Sequence, residues 1–117
     1  MRIENAKITD TKLGYQDRPI FTFELCLEGD GWVCLFGNYT LDTWNDEINE
    51  RVATQQGFQA IINLLETLEV KTWEELKGKY LRIKSEGWGS KIKEIGHLIK
   101  DKWFNIEDFF EKQKGGN

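Results

Sequence analysis

The sequence predicts an α+β domain, an antiparallel sheet with one long amphipathic helix packed on it, and three observations lead there. Apolar and polar residues alternate across 19–29 and 80–84, the period of a half-buried strand. Between them, Phe58, Ile61, Ile62, Leu65 and Leu68 recur at helical spacing. "EGDG" at 28–31 supplies a tight turn between two strand-like runs.

Taken in order, "IENAKITDTKLGY" (3–15) sets Ile3, Ala6, Ile8 and Leu13 among polar residues with no 3.6-residue stripe, so it reads as a first strand with room for a bulge. In "PIFTFELCLEG", Phe21, Phe23, Leu25 and Leu27 alternate with Thr22, Glu24 and Cys26, and Pro19 suits the start of a strand because it has no N–H for a ladder. Gly29, Asp30 and Gly31 make the turn into a third strand. There Val33, Leu35, Tyr39 and Leu41 share one face with Gly37, while Trp32, Cys34 and Phe36 share the other, which predicts cover on both sides. Gly37 marks a bulge or a close approach. A three-residue turn over 29–31 sets Cys26 opposite Cys34; a two-residue turn sets Cys26 opposite Val33.

"DTWNDEINER" (42–51) reads as an acidic connection, and the helix over 54–70 starts from Thr54 as N-cap. Thr72 and Glu75 have capping-box spacing, predicting a short helical turn before Gly78. "KYLRIK" is a fourth strand with Leu81 and Ile83 inward and Tyr80, Arg82 and Lys84 outward. Over 91–99 two periods compete. Ile92, Ile95, Ile99 and Trp103 lie on a helical stripe, but Gly96 costs about 1 kcal/mol inside a helix and three isoleucines are β-branched, so the segment reads as a strand. Asn105 caps a terminal helix, "IEDFFEK", whose Phe109 and Phe110 dock on the sheet, and 113–117 is a frayed end. The order βββ-α-ββ-α describes a five-stranded sheet or a partly open barrel. It is also the element order of the OB-fold.

At 117 residues, with 39% hydrophobic and 31% charged, the chain is expected to be a single domain with an ordinary core. No apolar run approaches the roughly 20 residues of a membrane span, and "MRIENAKITD" lacks the apolar segment of a signal peptide, so a cytoplasmic protein without membrane contact is expected. Two cysteines and one histidine are too few for the usual zinc clusters, so neither metal nor cofactor is expected, and both thiols are read as reduced. No G-x-S-x-G, H-E-x-x-H, C-x-x-C or Walker A pattern occurs, and the expectation is a protein that is not an enzyme. Glu24 or Asp42 could pair with His97 as acid and base, but a lone histidine is more often a hydrogen-bonded structural residue.

Charge is distributed unevenly. Residues 1–70 carry 5 basic and 12 acidic side chains, whereas 71–102 carry 9 and 5. That basic part holds "GWG" at 87–89, which has two readings. Trp88 folds onto the sheet from a hairpin loop, or it stands exposed as a stacking platform while Arg82, Lys84, Lys91 and Lys93 reach phosphates, with His97 as an outlying candidate. Trp32, Trp44 and Trp73 read as lids on the core, and Trp103 and Phe104 as anchors of the terminal helix. Five tryptophans are also enough for a self-association surface, so a homo-oligomer fits the composition.

"RIENAKITDTKLGYQD", "FTFELCLEGDG", "FGNYTLD", "WEELKGKYLRI" and "IGHLIKDKWF", in that order, resemble a group of small uncharacterised accessory proteins of tailed bacteriophages and prophages of Firmicutes. Where that group carries paired glycines, this chain has Gly37 and Asn38. The resemblance implies a phage origin, a host bacterial cytoplasm and an accessory role. Two binding functions follow as expectations. One is countering host antiviral defence, by sequestering a nucleotide signal or by occluding a host defence protein; the other is binding single-stranded DNA on an OB-like barrel during recombination or replication. The acidic first 70 residues favour the former, since a single-strand binder needs a continuous basic groove.

Overall fold

The computed structural model describes residues 2–15, 19–87 and 91–115, with side chains through 112. Its longest strand, β1 (Arg2–Tyr15), serves two partners. The second half pairs antiparallel with β2 (Phe21–Gly29), and the first half with a strand from much later in the chain, Tyr80–Ser85. The register with β2 shifts between Ile8 and Asp10, which makes Thr9 the bulge residue. That extra residue changes the phase of alternation, so Ala6 and Ile8 before it and Leu13 after it lie on one face.

β3 (Trp32–Thr40) returns along β2 through the two-residue turn Asp30–Gly31, with Gly31 at φ 82°. The turn settles the cysteines: Cys26 faces Leu35 and Cys34 faces Leu27. Neither expected pairing forms, and because cross-strand partners share a face, the two thiols point to opposite sides of the sheet. Both are free. The expectation of cover on both sides of β3 is also corrected, since Val33 and Leu35 are 66% and 58% exposed. Beyond Phe36, Gly37 (φ 115°) and Asn38 (φ 62°) form a left-handed bulge that brings Tyr39 round to pack on the core. Gly37 is both things the sequence offered, because a Cβ there would lie 2.8 Å from the Phe23 carbonyl. Asparagine is among the few other residues that tolerate positive φ, so Asn38 fits where a second glycine would.

The acidic segment 42–51 is not a plain connection. It forms a hairpin, β4 (Asp42–Asn45) with β5 (Glu50–Ala53), a separate two-stranded sheet whose turn is fixed by the Asn45 Oδ1 accepting the N–H groups of Glu47 and Ile48. α1 (Gln55–Leu68) follows. Thr54 caps it as expected, its hydroxyl accepting the Gly57 N–H at 2.9 Å and donating to the Leu41 carbonyl at 2.9 Å. The buried stripe is Gly57, Ala60, Leu64 and Leu68, with Ile61 and Leu65 beside it, rather than the expected face starting at Phe58, which is 71% exposed. A 3₁₀ turn (Trp73–Glu75) lies where the capping box was expected, but Thr72 makes no side-chain cap; the Glu75 carboxylate accepts the Lys71 N–H instead.

β6 (Tyr80–Ser85) has Leu81 and Ile83 inward and Tyr80, Arg82 and Lys84 on the other face, as the alternation predicts. The strand expected over 91–99 shrinks to β7 (Glu94–Gly96), followed by a turn and β8 (Trp103–Asn105). α2 (Ile106–Gly115) is capped by the Asn105 Oδ1, which accepts the Asp108 N–H at 3.0 Å, and it takes in the start of the segment expected to fray. The result is an α+β fold with an open antiparallel sheet in the order β3-β2-β1-β6-β7-β8, which corrects the five-stranded count and the partly open barrel. One face is covered. Phe23, Leu25, Leu27, Ile8, Leu81, Ile83 and Ile95 pack there with Leu64 and Leu68 of α1 and with Leu76, Phe104 and Ile106. Each such fully buried side chain contributes about 1.5–3 kcal/mol. No described helix is long and apolar enough to cross a membrane.

Candidate functional site

The expected site residues divide between two sides of the sheet. Arg82 and Lys84 stand on the uncovered face of β6, and the short strands beside them occupy their donors. Gly96 pairs with both Arg82 and Trp103, and the Trp103 indole lies over Gly96, where any Cβ would collide with the ring. Trp103 thereby reaches β6. The Arg82 guanidinium and the Lys84 ammonium sit 4.7 and 4.1 Å from the indole centroid. Arg82 Nε donates to the His97 carbonyl and Nη2 to the Lys100 carbonyl, both at 2.8 Å, and Lys84 pairs with Glu94 at 3.4 Å. Arg82 staples the 97–100 turn to the sheet, and Lys84 ties β6 to β7 and β8.

His97 has the same kind of role. Its Nδ1 accepts the N–H groups of Ile99 and Lys100 at 3.1 and 3.0 Å, so that nitrogen carries no proton and the imidazole closes the turn. Its nearest carboxylate is Glu69, 3.9 Å from Nε2, rather than the expected Glu24 or Asp42. Glu69 ends α1 with φ 55° and receives Lys102 at 2.8 Å and Lys100 at 2.9 Å; their hydrogen bonds hold its pKa at about 2 against the burial that would raise it. Asp42 is held by Arg51, with contacts of 2.8 and 3.0 Å, and by the Phe21 N–H, which together lower its pKa.

The remaining cations lie elsewhere. Lys93 pairs with Glu107 at 3.7 Å, and Lys91 donates to the Tyr39 hydroxyl at 3.3 Å while sitting 5.1 Å from that ring, which is stacked on Phe110. Lys91 therefore borders a shallow recess beside α2 that also holds Asp42, Glu107 and Glu111. Trp88 lies outside the described residues. The other five are spread over the β6–β8 face and the α2 side rather than gathered into one site.

A different set is gathered. On the core side, at the end of the sheet where β1 outruns the β2–β3 turn, a cleft of about 370 Å³ is lined by Arg2, Glu4, Trp32, Cys34, Ile83 and Ser85. Asp30 and Val33 at the β2–β3 turn, with Gly87 and Ile92, complete the lining. Alternation places these groups: Glu4 precedes Ala6 and Ile8 on the core-facing row, so its carboxylate lies on the covered side of the sheet, partly exposed at the cleft. Trp32 lies flat over Gly29, where only a bare Cα leaves room, and its Nε1 donates to Glu4 Oε1 at 3.4 Å. Arg2 Nη2 is 3.9 Å from the same oxygen, and its half-exposed side chain lines the cleft. An indole, a guanidinium, two carboxylates and a hydroxyl thus line an opening with an apolar floor, the composition of a small-molecule site. The sequence did hold a signal for it, a glutamate in phase with core residues two and four positions later.

Trp32 and Trp73 pack on the core as expected, Trp73 edge-on to Phe23. Trp44 does not; it is half exposed on the small hairpin, donating to Asp46. Among the described residues, no group of three or more His, Cys, Asp or Glu side chains is arranged to hold a metal ion. Compared with known proteins, the chain matches no family model, no curated protein and no solved structure.

Proposed function

We propose that this is a non-catalytic binding protein that sequesters a nucleotide-like ligand in the cleft at the β2–β3 end of the sheet. The observation behind this reading is the convergence of Trp32, Arg2, Glu4 and Ser85 on one cleft of about 370 Å³. That volume lies at the lower end of ligand sites and matches a mononucleotide-sized molecule. A base would stack on the indole, its exocyclic N–H groups would donate to Glu4, and a phosphate would take the donors of Arg2 bidentately. Binding of this kind needs enclosure and complementary polar groups but no bond making. The similarity of the sequence to phage accessory proteins supports a host signal nucleotide as the ligand, held in the bacterial cytoplasm to blunt a defence response.

The test starts from protein purified from bacterial cells. Denaturation should release a nucleotide of intact mass, detected by mass spectrometry, and the stripped, refolded protein should rebind it with one site per cleft. Release of a cleaved product would make the protein an enzyme and end the sequestration reading. Tight, salt-sensitive binding of labelled single-stranded DNA, with no mononucleotide bound, would replace it with the single-strand function.

A further inference from the structure

β3 is one edge of the six-stranded sheet, and no described segment pairs with its outer side. A free edge presents unpaired N–H and C=O groups, and natural sheets blunt such edges with charge, proline or bulges. None of the nine residues of β3 is charged or proline. The bulge at Gly37–Asn38 comes only after Phe36, which leaves Trp32–Phe36 as a regular edge with Val33 and Leu35 exposed at 66% and 58%. A two-residue turn closes on a hydrogen-bonded pair, here Gly29 with Trp32. Trp32, Cys34 and Phe36 therefore direct their backbone groups at β2, while those of Val33 and Leu35 point off the edge. Among the described residues, the Leu35 carbonyl receives the weak thiol donor of Cys34, at 3.5 Å.

We propose that β3 pairs antiparallel with β3 of a second copy, about a two-fold axis through Cys34, and that this pairing joins the two clefts. In that register Val33 of each copy lies opposite Leu35 of the other, and each pair exchanges both N–H···O=C bonds. Trp32 faces Phe36, so every opposed pair is uncharged. Centring on Leu35 instead would set Val33 against the bulged Gly37 and lose the apolar pairing. The nearest like charges, Glu24 and Glu28, stand on β2 and are separated from their equivalents by three strand spacings, about 14 Å. That exceeds the ~8 Å screening length in physiological salt. A second copy is the fitting occupant because the strand is complementary to itself.

The axis runs perpendicular to the sheet and keeps both covered faces on the same side. Cys34, which lines each cleft at the edge, then meets Cys34 of the second copy while Trp32 meets Phe36, so the two clefts approach each other from either side of the Cys34 pair. The dimer stands apart from the nucleotide reading; the joined cleft rests on it.

Sedimentation of the ligand-free protein from low to high micromolar concentration should report a dimer. Leu35→Lys should give a monomer with unchanged circular dichroism, since Leu35 is exposed and its loss leaves the core intact. The two Cys34 residues face each other at a non-hydrogen-bonded position, where Cα atoms sit about 4.5 Å apart, within disulfide reach. Diamide, which takes up the two thiol hydrogens as the S–S bond forms, should crosslink the native chain and Cys26→Ser but not Cys34→Ser. A monomer at every concentration, a dimer indifferent to Leu35→Lys, or a crosslink that survives Cys34→Ser overturns the pairing. A dimer that binds no nucleotide would discard the proposed ligand and leave the pairing standing, whereas a monomer that binds one would do the reverse.

Discussion

The two ends of the sheet use similar side chains to opposite effect. At β6–β8 a tryptophan, two cations and a histidine lie close together, as a ligand surface would require, yet they are directed at the protein itself. Arg82 is bound to two carbonyls, Lys84 to Glu94, His97 to two N–H groups, and Trp103 covers Gly96. At the β2–β3 end a tryptophan, an arginine and a glutamate touch one another more loosely and leave a cleft and an unpaired strand. The difference follows from strand length. β7 and β8 have three residues each, too few for ladder hydrogen bonds to hold the turn between them, so side chains do it. β1 has fourteen and overhangs β2 while its first half is held by a full ladder to β6.

The contrast can be broken first at Gly96. Gly96→Ala places a methyl group inside the Trp103 ring and should cost about 1–3 kcal/mol, as overpacking does. Thermal melting should show the loss while nucleotide affinity at the other end stays unchanged. Arg82→Met keeps the stem on Trp103 but removes both donors, leaving the His97 and Lys100 carbonyls without them; a loss of about 1–2 kcal/mol in urea unfolding is expected, again with affinity unchanged. An Arg82→Met variant of full stability and weakened binding would move the site back to the β6 face.

The smallest effect is electrostatic. Lys102 and Lys100 depress the Glu69 pKa to about 2 from 4.5, so the folded value lies below the unfolded one. The contribution is complete above pH 4.5 and is lost as pH falls toward 2. Glu69→Gln should flatten that part of the stability profile, measured as urea midpoints across the same range. The change will be slight because the three charged groups are solvent-accessible.

Strand alternation and capping were legible where one face is buried: β2, β6, the Thr54 cap and the Asn105 cap follow from local sequence. The β4–β5 hairpin was not, because the exposed residues of "DTWNDEINER" give no apolar alternation and its turn depends on Asn45, whose side chain closes a local loop. Phe58 misled the helix reading because a large side chain was weighted over Gly57 and Ala60, whose smallness lets α1 approach Leu41 and the core closely. Arg82 and Lys84 were correctly placed on the outward face of their strand, whereas His97, read as a strand residue, falls in the turn after β7. The partners of Arg82 and Lys84 come from strands and turns up to 18 residues away, which no local pattern encodes. The cleft was partly legible through Glu4, whose phase with Ala6 and Ile8 sets a charge on a core-facing row.

The central claim is that recognition belongs to the β2–β3 end. Its most direct test is calorimetric titration of adenosine monophosphate into the native chain, Trp32→Ala and Lys84→Met, all checked for folding by circular dichroism. Loss of binding in Trp32→Ala together with native affinity in Lys84→Met is the predicted result. Retained binding in Trp32→Ala with loss in Lys84→Met would contradict it.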